Sequence, residues 1–328
     1  MMSKAVRIDR HGGPEELKIV DVEVGEPGPG EIRIRHKAVG LNFIDTYQRS
    51  GLYPFQMPLQ LGMEASGVVE AVGEGVAHLK AGDRAAYASQ PPGAYSELRV
   101  MPAKNVCRLP DDISFETGAA MMLKGLTAQY LLKKTLPVEG LQAGDFVLFH
   151  AAAGGVGTIA VQWLASLGAV VIGTAGSAEK CATAKSLGAT HVINYRTEDW
   201  VKRVKDITDG KGVHVVYDGV GKDTFLPSLD CLRQRGMMVT FGNASGPVPE
   251  IPPLILSQKG SLFLTRPTLF HYIASRADLE LSASALFDVV NRGVVKIQIG
   301  HRYPLKDAAE AHRDLQARKT TGATILIP

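Results

Sequence analysis

One uncharged segment limits the possible folds of this chain more than any other feature. Residues 146–178, 33 in all, include no Asp, Glu, Lys or Arg. A membrane-spanning helix needs about 20 mostly apolar residues, so length alone would allow one. However, six glycines interrupt the segment, it includes polar residues such as Thr158 and Gln162, and no basic cluster flanks it. The pattern therefore favours a buried strand, a glycine turn, a helix and a second buried strand over a membrane span.

The alternation of strands and helices continues through the middle of the chain. The sequence predicts strands at 146–150, 170–174, 191–195, 213–218, 237–241 and 261–265. Helices are predicted at 157–167, 178–187 and 198–208. Such alternation is typical of βαβ units around a parallel sheet. Six strands with right-handed crossovers predict a doubly wound fold of the dinucleotide-binding kind.

The two ends of the chain have a different pattern. The first 120 or so residues consist of short apolar segments, such as 31–39 and 65–72, separated by Gly- and Pro-rich turns. This spacing predicts a small barrel or curled sheet. The tail, with helices at 283–291 and 307–318 and strands at 296–300 and 323–327, is short for a separate domain and is expected to pack on the N-terminal part. We therefore predict an α/β protein with a β-rich domain of residues 1–124 and 267–328 and a doubly wound domain of residues 125–266.

Composition and charge argue against several classes of protein. The 36 basic and 33 acidic side chains leave a net charge of +3, which is too small to indicate nucleic-acid binding by itself. Three scattered cysteines do not form a disulfide framework, and this favours a reducing compartment. The N-terminus has no apolar core of the length of a signal peptide. A cytoplasmic protein with no membrane attachment is expected.

A glycine-rich loop follows the first strand of the doubly wound domain. The dinucleotide-binding pattern Gly-x-Gly-x-x-Gly falls on Ala152, Gly154 and Gly157, with Gly155 and Val156 between the last two. Gly154 would let the backbone approach a pyrophosphate, and Gly157 would let the helix pack closely on the strand. The helix N-terminus offers N–H groups and a positive dipole end to phosphates. Alanine in the first position weakens the motif, and a plain glycine turn is the alternative.

The end of the second strand indicates which nicotinamide cofactor is preferred. NAD-binding proteins carry an acidic residue about 20 positions after the loop. Here the segment around Thr174 has small and hydroxyl residues and no acid before Glu179, and Lys180 follows. An acid would repel a 2′-phosphate, whereas Lys180 would attract it. We therefore predict NADP(H) rather than NAD(H), with a solvated helix residue as the alternative for Lys180.

Several segments together resemble the zinc-independent quinone oxidoreductase (ζ-crystallin-like) branch of the medium-chain dehydrogenase/reductase superfamily, most strongly its bacterial members. The similarity runs nearly end to end. The segments that carry it are Gly40-Leu-Asn42-Phe-Ile-Asp45-Thr-Tyr47, Arg49-Ser-Gly-Leu-Tyr53-Pro54, Gly62-Met63-Glu64-Ala-Ser-Gly67, Ala81-Gly-Asp-Arg84, Lys124-Gly-Leu-Thr-Ala128, Tyr217-Asp-Gly-Val-Gly221, Phe241-Gly-Asn243 and Thr265-Arg-Pro267, together with the glycine loop. The resemblance implies a GroES-like β-rich catalytic domain, a Rossmann domain that binds NADPH, and a homodimer formed through the last Rossmann strand, 261–265.

The resemblance also bears on metal binding. Zinc-dependent relatives have a cysteine at the position of Asn42 and a histidine at that of Met63, and neither residue here is a good zinc ligand. No Cys-x₂-Cys or His-x₃-His pair occurs, so no metal is expected. Glu64 remains in the motif and is interpreted as a buried, paired structural carboxylate. Without a Lewis acid, the substrate must already be electrophilic, as quinones and α,β-unsaturated carbonyl compounds are.

The site residues that the resemblance implies fall into two groups. Catalytic residues at the nicotinamide and substrate end would be Asn42, Asp45, Tyr47, Tyr53 and Tyr130. Cofactor-binding residues outside the glycine loop would be Thr127, Gly176, Ser177, Lys180, Tyr195, Gly219, Phe241, Asn243, Ser245, Leu264 and Arg318. A tyrosine offers a flat face for a quinone ring and a hydroxyl donor, although each could instead be a core aromatic.

These expectations combine into one predicted activity, the NADPH-dependent reduction of a small-molecule quinone by direct, metal-free hydride transfer. An enone or alkenal double-bond reductase is the alternative within the same class, because such substrates also accept hydride without a metal. A non-catalytic protein that binds NADPH or RNA is the alternative of a different class. The small net charge and the lack of a mixed basic and aromatic segment argue against RNA.

Overall fold

The computed structural model describes residues 1–136 and 140–328, and these divide into two compact units. The first unit comprises Met1–Leu126, Ile273–Asn291 and Ile297–Pro328. The second comprises Thr127–Tyr272 and Arg292–Lys296. The predicted boundaries after residues 124 and 266 remain predictions of where the functional domains divide. The contacts within the structure assign Arg292–Lys296 to the second unit, whereas the sequence placed these residues in the first domain.

The N-terminal part forms β1 (Met2–Ile8), β2 (Lys18–Glu23), β3 (Glu31–Leu41), α1 (Phe43–Ser50), β4 (Leu59–Gln60), β5 (Glu64–Val72), β6 (Arg84–Ala88), β7 (Leu98–Pro102), β8 (Val106–Arg108) and α2 (Phe115–Lys134). The middle forms β9 (Phe146–Phe149), α3 (Gly155–Ser166), β10 (Val170–Ala175), α4 (Ala178–Ser186), β11 (His191–Asn194), α5 (Trp200–Ile207), β12 (Val213–Asp218), α6 (Phe225–Leu229), β13 (Leu232–Thr240), α7 (Leu254–Gln258), β14 (Phe263–Thr265) and α8 (Leu269–Tyr272). The tail forms α9 (Arg276–Asn291), β15 (Ile299–Pro304), α10 (Ala308–Gln316) and β16 (Ala323–Ile327).

The first unit is built on β-sheets, as predicted. Strands β15, β16, β3, β5, β6 and β8 lie side by side in that order, and β7 also pairs with β3. A smaller sheet has the order β2-β1-β4. Ile32 and Ile34 of β3 are buried with Val69 and Tyr87 in the core of this unit. Since β3 lies inside the larger sheet, its end at Leu41 gives α1 a fixed starting point.

The second unit has one parallel sheet with the order β11-β10-β9-β12-β13-β14. From β9, the chain first adds β10 and β11 on one side of the sheet. It then crosses over and adds β12, β13 and β14 on the other side. Ligands of such doubly wound sheets bind beyond the carboxyl ends of the strands, at the point where the strand order reverses. The predicted α/β fold class, a β-rich domain plus a doubly wound domain, is confirmed.

Local sequence explains where the helices around this sheet begin. Ser177 caps α4, and its Oγ accepts a hydrogen bond of 3.2 Å from the Lys180 N–H. Asp199 caps α5 in the same way through Lys202. Glycine at 154 precedes α3, whose residues from Gly157 to Leu164 are all buried. This continuous burial accounts for the lack of charged residues in this part of the segment 146–178.

Several predicted elements were incomplete or misplaced. Helices α1 and α2 were not predicted. In α2 the buried face is so broad that the apolar residues show no helical period. The strand predicted at 296–300 was wrong: β15 covers Ile299–Pro304. Main-chain atoms of Lys296 instead bond to the Gln162 side chain, at 2.9 and 3.0 Å. Ser261 has a left-handed φ of 56°, so β14 starts only at Phe263.

The helices also bear on the membrane question. Among those within residues 1–136 and 140–328, none combines the length and apolar character needed to cross a bilayer.

Candidate functional site

The glycine loop lies between β9 and α3, at the carboxyl end of the parallel sheet. Gly154 is extended, with φ −83° and ψ 177°, and precedes the first turn of α3. At Gly157 a Cβ would lie 2.7 Å from the carbonyl oxygen of Ala152, so only glycine allows this close approach of helix and loop. The N–H groups of a helix's first turn lack intrahelical acceptors, which suits them to phosphate oxygens.

The structure explains why alanine is tolerated in the first glycine position of the motif. The methyl group of Ala152 is fully buried against Gly173 of the neighbouring strand β10. A Cβ at Gly173 would lie 2.8 Å from that methyl, so the missing side chain at Gly173 makes room for it. The preceding residue, Ala151, has a left-handed φ of 54°. Half-buried Gly155 and Val156 begin the helix next to this turn.

The carboxyl ends of β10 and β11 bring together residues predicted to bind a 2′-phosphate. Strand β10 ends at Ala175, and Gly176 and the cap residue Ser177 follow. Tyr195 comes directly after β11, donates its N–H to the Ala175 carbonyl at 3.1 Å and lies with its hydroxyl against Gly176. Lys180 is half-buried in the first turn of α4. Residues 174–178, from the end of β10 to the first residue of α4, contain no acid.

A second group of predicted residues gathers at the ends of β12 and β13. Gly219 lies against the Phe241 ring, since a Cβ there would be 3.1 Å from ring carbons. The Ser245 hydroxyl donates to the Val220 carbonyl at 3.0 Å, and this ties the loop that contains Asn243 to the end of β12. Leu264 lies on β14 and is 38% exposed.

Asp218 is a residue of this region that the sequence analysis did not assign to the site. Its carboxylate is fully buried, and Oδ1 accepts hydrogen bonds from the N–H groups of Val220 and Gly221 and from the Thr224 hydroxyl. These contacts fix the Gly219–Gly221 turn. An acid at the end of a buried strand, directly before a Gly-x-Gly turn, was the available signal.

Thr127 and Tyr130 belong to the part of α2 in the second unit. Both are buried, with 6% and 2% of their surface exposed. The Tyr130 ring stacks on Tyr272, with centroids 4.5 Å apart and planes 9° from parallel. Burial raises the pKa of the Tyr130 phenol. Tyr272 was missed by the sequence analysis, because only the fold brings α8 to α2.

In the first unit, four predicted catalytic residues lie immediately before α1, on it and just after it. Asn42 precedes α1, its N–H donates to Asp45 Oδ2 at 2.8 Å, and the Asp45 N–H donates to the Asn42 carbonyl at 3.1 Å. Tyr47 and Tyr53 meet edge to face at 5.4 Å between ring centroids. The structure thus gathers Asn42, Asp45, Tyr47 and Tyr53 within one short segment. Arg318, in contrast, is an exposed residue after α10 in the first unit, and its predicted contact with a cofactor remains a prediction.

The positions that hold zinc ligands in zinc-dependent relatives have their own partners here. The Met63 thioether is buried and accepts a hydrogen bond of 3.2 Å from the Gln48 amide. Glu64 is fully buried, and its carboxylate pairs with the Lys124 ammonium and accepts the Leu123 N–H. The interpretation of Glu64 as a buried, paired structural carboxylate is confirmed. In the part of the chain that the structure describes, no three His, Cys, Asp or Glu side chains are grouped to hold a metal.

Comparison with known proteins first identifies the class. The family model for the alcohol dehydrogenase GroES-like domain matches residues 28–111, and the family model for zinc-binding dehydrogenases matches residues 155–287. These matches define the class as a chain with a GroES-like domain followed by a Rossmann domain of the kind found in zinc-binding dehydrogenases.

Full-length comparisons then identify the family. A quinone oxidoreductase of Pseudomonas aeruginosa is 52% identical over 328 residues, covering all of both chains. A 2-haloacrylate reductase of Burkholderia is 46% identical over 334 residues, covering 100% of this chain and 99% of the relative. The solved quinone oxidoreductase of Pseudomonas syringae has a TM-score of 0.97 at 53% identity, covering 100% of each chain. The Escherichia coli quinone oxidoreductase in complex with NADPH has a TM-score of 0.96 at 51% identity, covering 99% of this chain and 100% of that one. The chain belongs to the quinone oxidoreductase family.

Proposed function

We propose that this protein is an NADPH-dependent quinone reductase. The observation that carries the proposal is the end-to-end identity of 52% with a quinone oxidoreductase, together with a 51% identical relative that was solved with NADPH. The site chemistry agrees with it. The ends of β10 and β11 offer a hydroxyl, an ammonium and a phenol where an NAD-binding site would have a carboxylate.

The residues at these positions suit NADPH in size, polarity and charge. Gly154, Gly157 and the first turn of α3 would hold the pyrophosphate, and Ser177, Lys180 and Tyr195 would hold the 2′-phosphate. Gly219, Phe241, Asn243, Ser245 and Leu264 would border the ribose and nicotinamide. Bound NADPH would supply a hydride. Thr127 and Tyr130 would lie at the nicotinamide end of the cofactor. Arg318 would supply a positive charge to the adenosine 2′-phosphate.

On the substrate side, this chain's own groups would orient the acceptor and stabilise its developing charge. Tyr47 and Tyr53 offer aromatic faces for a flat ring, and the Asn42 amide offers a donor to a carbonyl oxygen. We propose that no metal is needed. An amide and a thioether, at Asn42 and Met63, are poor partners for zinc, and the Met63 sulfur already accepts the Gln48 amide.

The direct test is NADPH oxidation against a panel of quinones, each with and without a strong chelator. We expect turnover that the chelator leaves unchanged, and a higher kcat/KM with NADPH than with NADH. Loss of activity on chelation would contradict the metal-free route. An NADH preference would contradict the assignment of the 2′-phosphate residues.

Reduction of activated double bonds is the second candidate. The relative that favours it is the 46% identical 2-haloacrylate reductase, whose named substrate carries a double bond beside a carboxylate. A quinone, an enone and 2-chloroacrylate compared under one NADPH assay would separate the two. A higher kcat/KM for the enone or the haloacrylate than for every quinone would replace our first proposal by this one.

We also propose a homodimer formed through β14. This strand is the last of the parallel sheet, and its Phe263 and Leu264 are 49% and 38% exposed. An identical strand could continue the sheet and cover both side chains. Sedimentation should therefore give twice the mass of the chain, and Leu264→Lys should give a monomer. A monomeric wild-type protein would refute the proposal.

A further inference from the structure

A chain of buried polar side chains leads to Asp45 in the first unit. The Tyr95 hydroxyl lies 3.0 Å from Asp45 Oδ2 and 3.0 Å from Nε2 of His312. The other ring nitrogen of His312, Nδ1, is 3.0 Å from Nη1 of Arg49. Arg49 in turn donates to the Gln316 amide oxygen and the Gly12 carbonyl. Asp45, Tyr95, His312 and Arg49 are each 0–2% exposed, so water does not compete for these bonds.

The guanidinium of Arg49, at one end of this series of side chains, determines which group donates in each of the hydrogen bonds. A guanidinium has donors only, so His312 Nδ1 must accept from Arg49. Burial and the Arg49 charge lower the pKa of His312 to about 3, so its ring is neutral and carries its hydrogen on Nε2. His312 therefore donates to the Tyr95 oxygen, and Tyr95 donates to Asp45 Oδ2. Because the guanidinium at the end keeps its protons, the chain orients donors and does not conduct protons.

This direction determines where Asp45 can carry a proton. Oδ2 accepts from both Tyr95 and the Asn42 N–H, whereas Oδ1 has no hydrogen-bond partner within residues 1–136 and 140–328. A proton on the carboxyl group must therefore reside on Oδ1. Burial raises the pKa of Asp45 to about 7, against the opposing effects of its hydrogen bonds and of Lys124. The Glu64 carboxylate, which is paired with Lys124, also raises the pKa of Asp45, with a smaller effect than burial.

The Asn42 side chain also has a buried donor without a partner in the described part of the chain. Its Nδ2 is also buried and finds no acceptor among the described residues. A buried polar atom without a hydrogen-bond partner costs free energy. We therefore expect Asn42 Nδ2 to have an acceptor in the working enzyme. With Asp45 protonated, Oδ1 carries a hydrogen and cannot accept the Asn42 Nδ2–H, which stays available to another acceptor. With Asp45 ionised, Oδ1 is a buried acceptor, unpaired within the described structure, three residues along the chain from Asn42.

We propose that Arg49, His312 and Tyr95 are positioning residues that set the donor state of the Asn42–Asp45 pair. In the protonated state Asp45 leaves the Asn42 amide to donate a hydrogen bond to a carbonyl oxygen of the acceptor. In the ionised state Asp45 Oδ1 accepts the Asn42 amide, and the acceptor loses this donor. The part that concerns the acceptor rests on the proposed quinone reductase function, whereas the ionisation of Asp45 does not.

Infrared spectroscopy tests the ionisation without any turnover. We expect a protonated-carboxyl C=O band that disappears as pH rises through about 7 and is absent in Asp45→Asn. Tyr95→Phe removes a donor that favours the ionised form, so the band should persist about one pH unit higher. Tyr87→Phe is a matched control, because its buried hydroxyl bonds to a different histidine, His36, at 2.9 Å. A wild-type band that titrates near pH 4, or equal shifts in the two phenylalanine variants, would overturn the proposal.

The pH dependence of quinone reduction tests the consequence. Above about pH 7, kcat/KM for the quinone should fall about tenfold per pH unit. Asp45→Asn should remove this decrease, and Tyr95→Phe should move it upwards with the infrared band. A wild-type profile that stays flat across this range would refute the role in acceptor binding. If no quinone is reduced at all, the proposed function fails, while the infrared titration still decides whether the chain sets the Asp45 proton.

Discussion

The hydroxyl of Tyr195 lies against the Cα of Gly176, where β10 leads into α4. Gly176 does not have a left-handed backbone, so its small size, rather than its conformational freedom, is what this contact requires. The phenol is therefore held beside the cap residue Ser177, at the position assigned to the 2′-phosphate.

This contact predicts the effect of one added methyl group. Gly176→Ala should displace the Tyr195 hydroxyl and raise the KM for NADPH several-fold, while the KM for NADH changes little. Gly25→Ala is the control, because a Cβ there meets no other atom of the described structure within 4 Å. Steady-state kinetics with both cofactors would measure the difference. Equal rises for NADPH and NADH would show that the variant only disturbs the fold.

The charge at Lys180 should discriminate between the two cofactors. A charge-assisted hydrogen bond contributes about 1.5 kcal/mol or more, so Lys180→Ala should raise the KM for NADPH roughly tenfold. The KM for NADH, which lacks the 2′-phosphate, should not change. Lys185→Ala at the other end of α4 is the matched control, since Lys185 instead donates to the Thr190 carbonyl at 2.7 Å. An unchanged NADPH KM in Lys180→Ala would remove this residue from the site.

The buried pair Glu64–Lys124 should be sensitive to the loss of one partner. With 0% and 5% of their surface exposed, neither charge has access to water. Glu64→Gln should lower the free energy of unfolding by about 3–5 kcal/mol, and a double variant with Lys124→Met should recover most of this loss. The half-exposed pair Lys4–Asp21 is the control, and Asp21→Asn should cost less than about 1 kcal/mol. Urea denaturation would measure the free energy of unfolding of all three variants. A loss in Glu64→Gln as small as that in Asp21→Asn would contradict the prediction.

Two buried histidines predict a loss of stability in acid. Burial lowers the pKa of His36 to about 4 and, together with Arg49, that of His312 to about 3. A histidine exposed to water in the unfolded chain has a pKa of about 6.5, so unfolding takes up protons below this pH. Stability from each histidine is complete above about pH 6.5 and is lost progressively towards its folded pKa. At about 1.4 kcal/mol per pH unit, His36 alone accounts for about 3 kcal/mol.

Urea unfolding at pH 7, 5.5 and 4.5 would measure this loss. His36→Gln should lose less stability than the wild type between pH 7 and 4.5, because glutamine does not titrate. His271→Gln, at an exposed position, should leave the wild-type loss unchanged. An equal loss of stability in the wild type and in His36→Gln would contradict the assignment of His36 as a buried neutral histidine.

The amino-acid sequence by itself determined the parallel sheet and its loops. Strands such as β12 are short apolar runs bounded by turn residues, and the 213–218 prediction matches the structure at both ends. The glycines at 154 and 157 and the missing acid after Thr174 are local features, so their meaning could be inferred without knowing the fold. A broad apolar helix such as α2 lacks a local signal and was missed.

The tertiary structure alone decided the surroundings of the reactive side chains. The bond from Arg49 to His312 joins residues 263 positions apart, and the bond from Tyr95 to Asp45 joins residues 50 positions apart. Neither pairing has a spacing that a sequence pattern reveals. Burial and hydrogen bonding set the pKa of a carboxyl group, and both arise only when distant segments pack together. The sequence could therefore name Asp45 as a site residue, while only the fold determines which of its oxygens carries a proton and why.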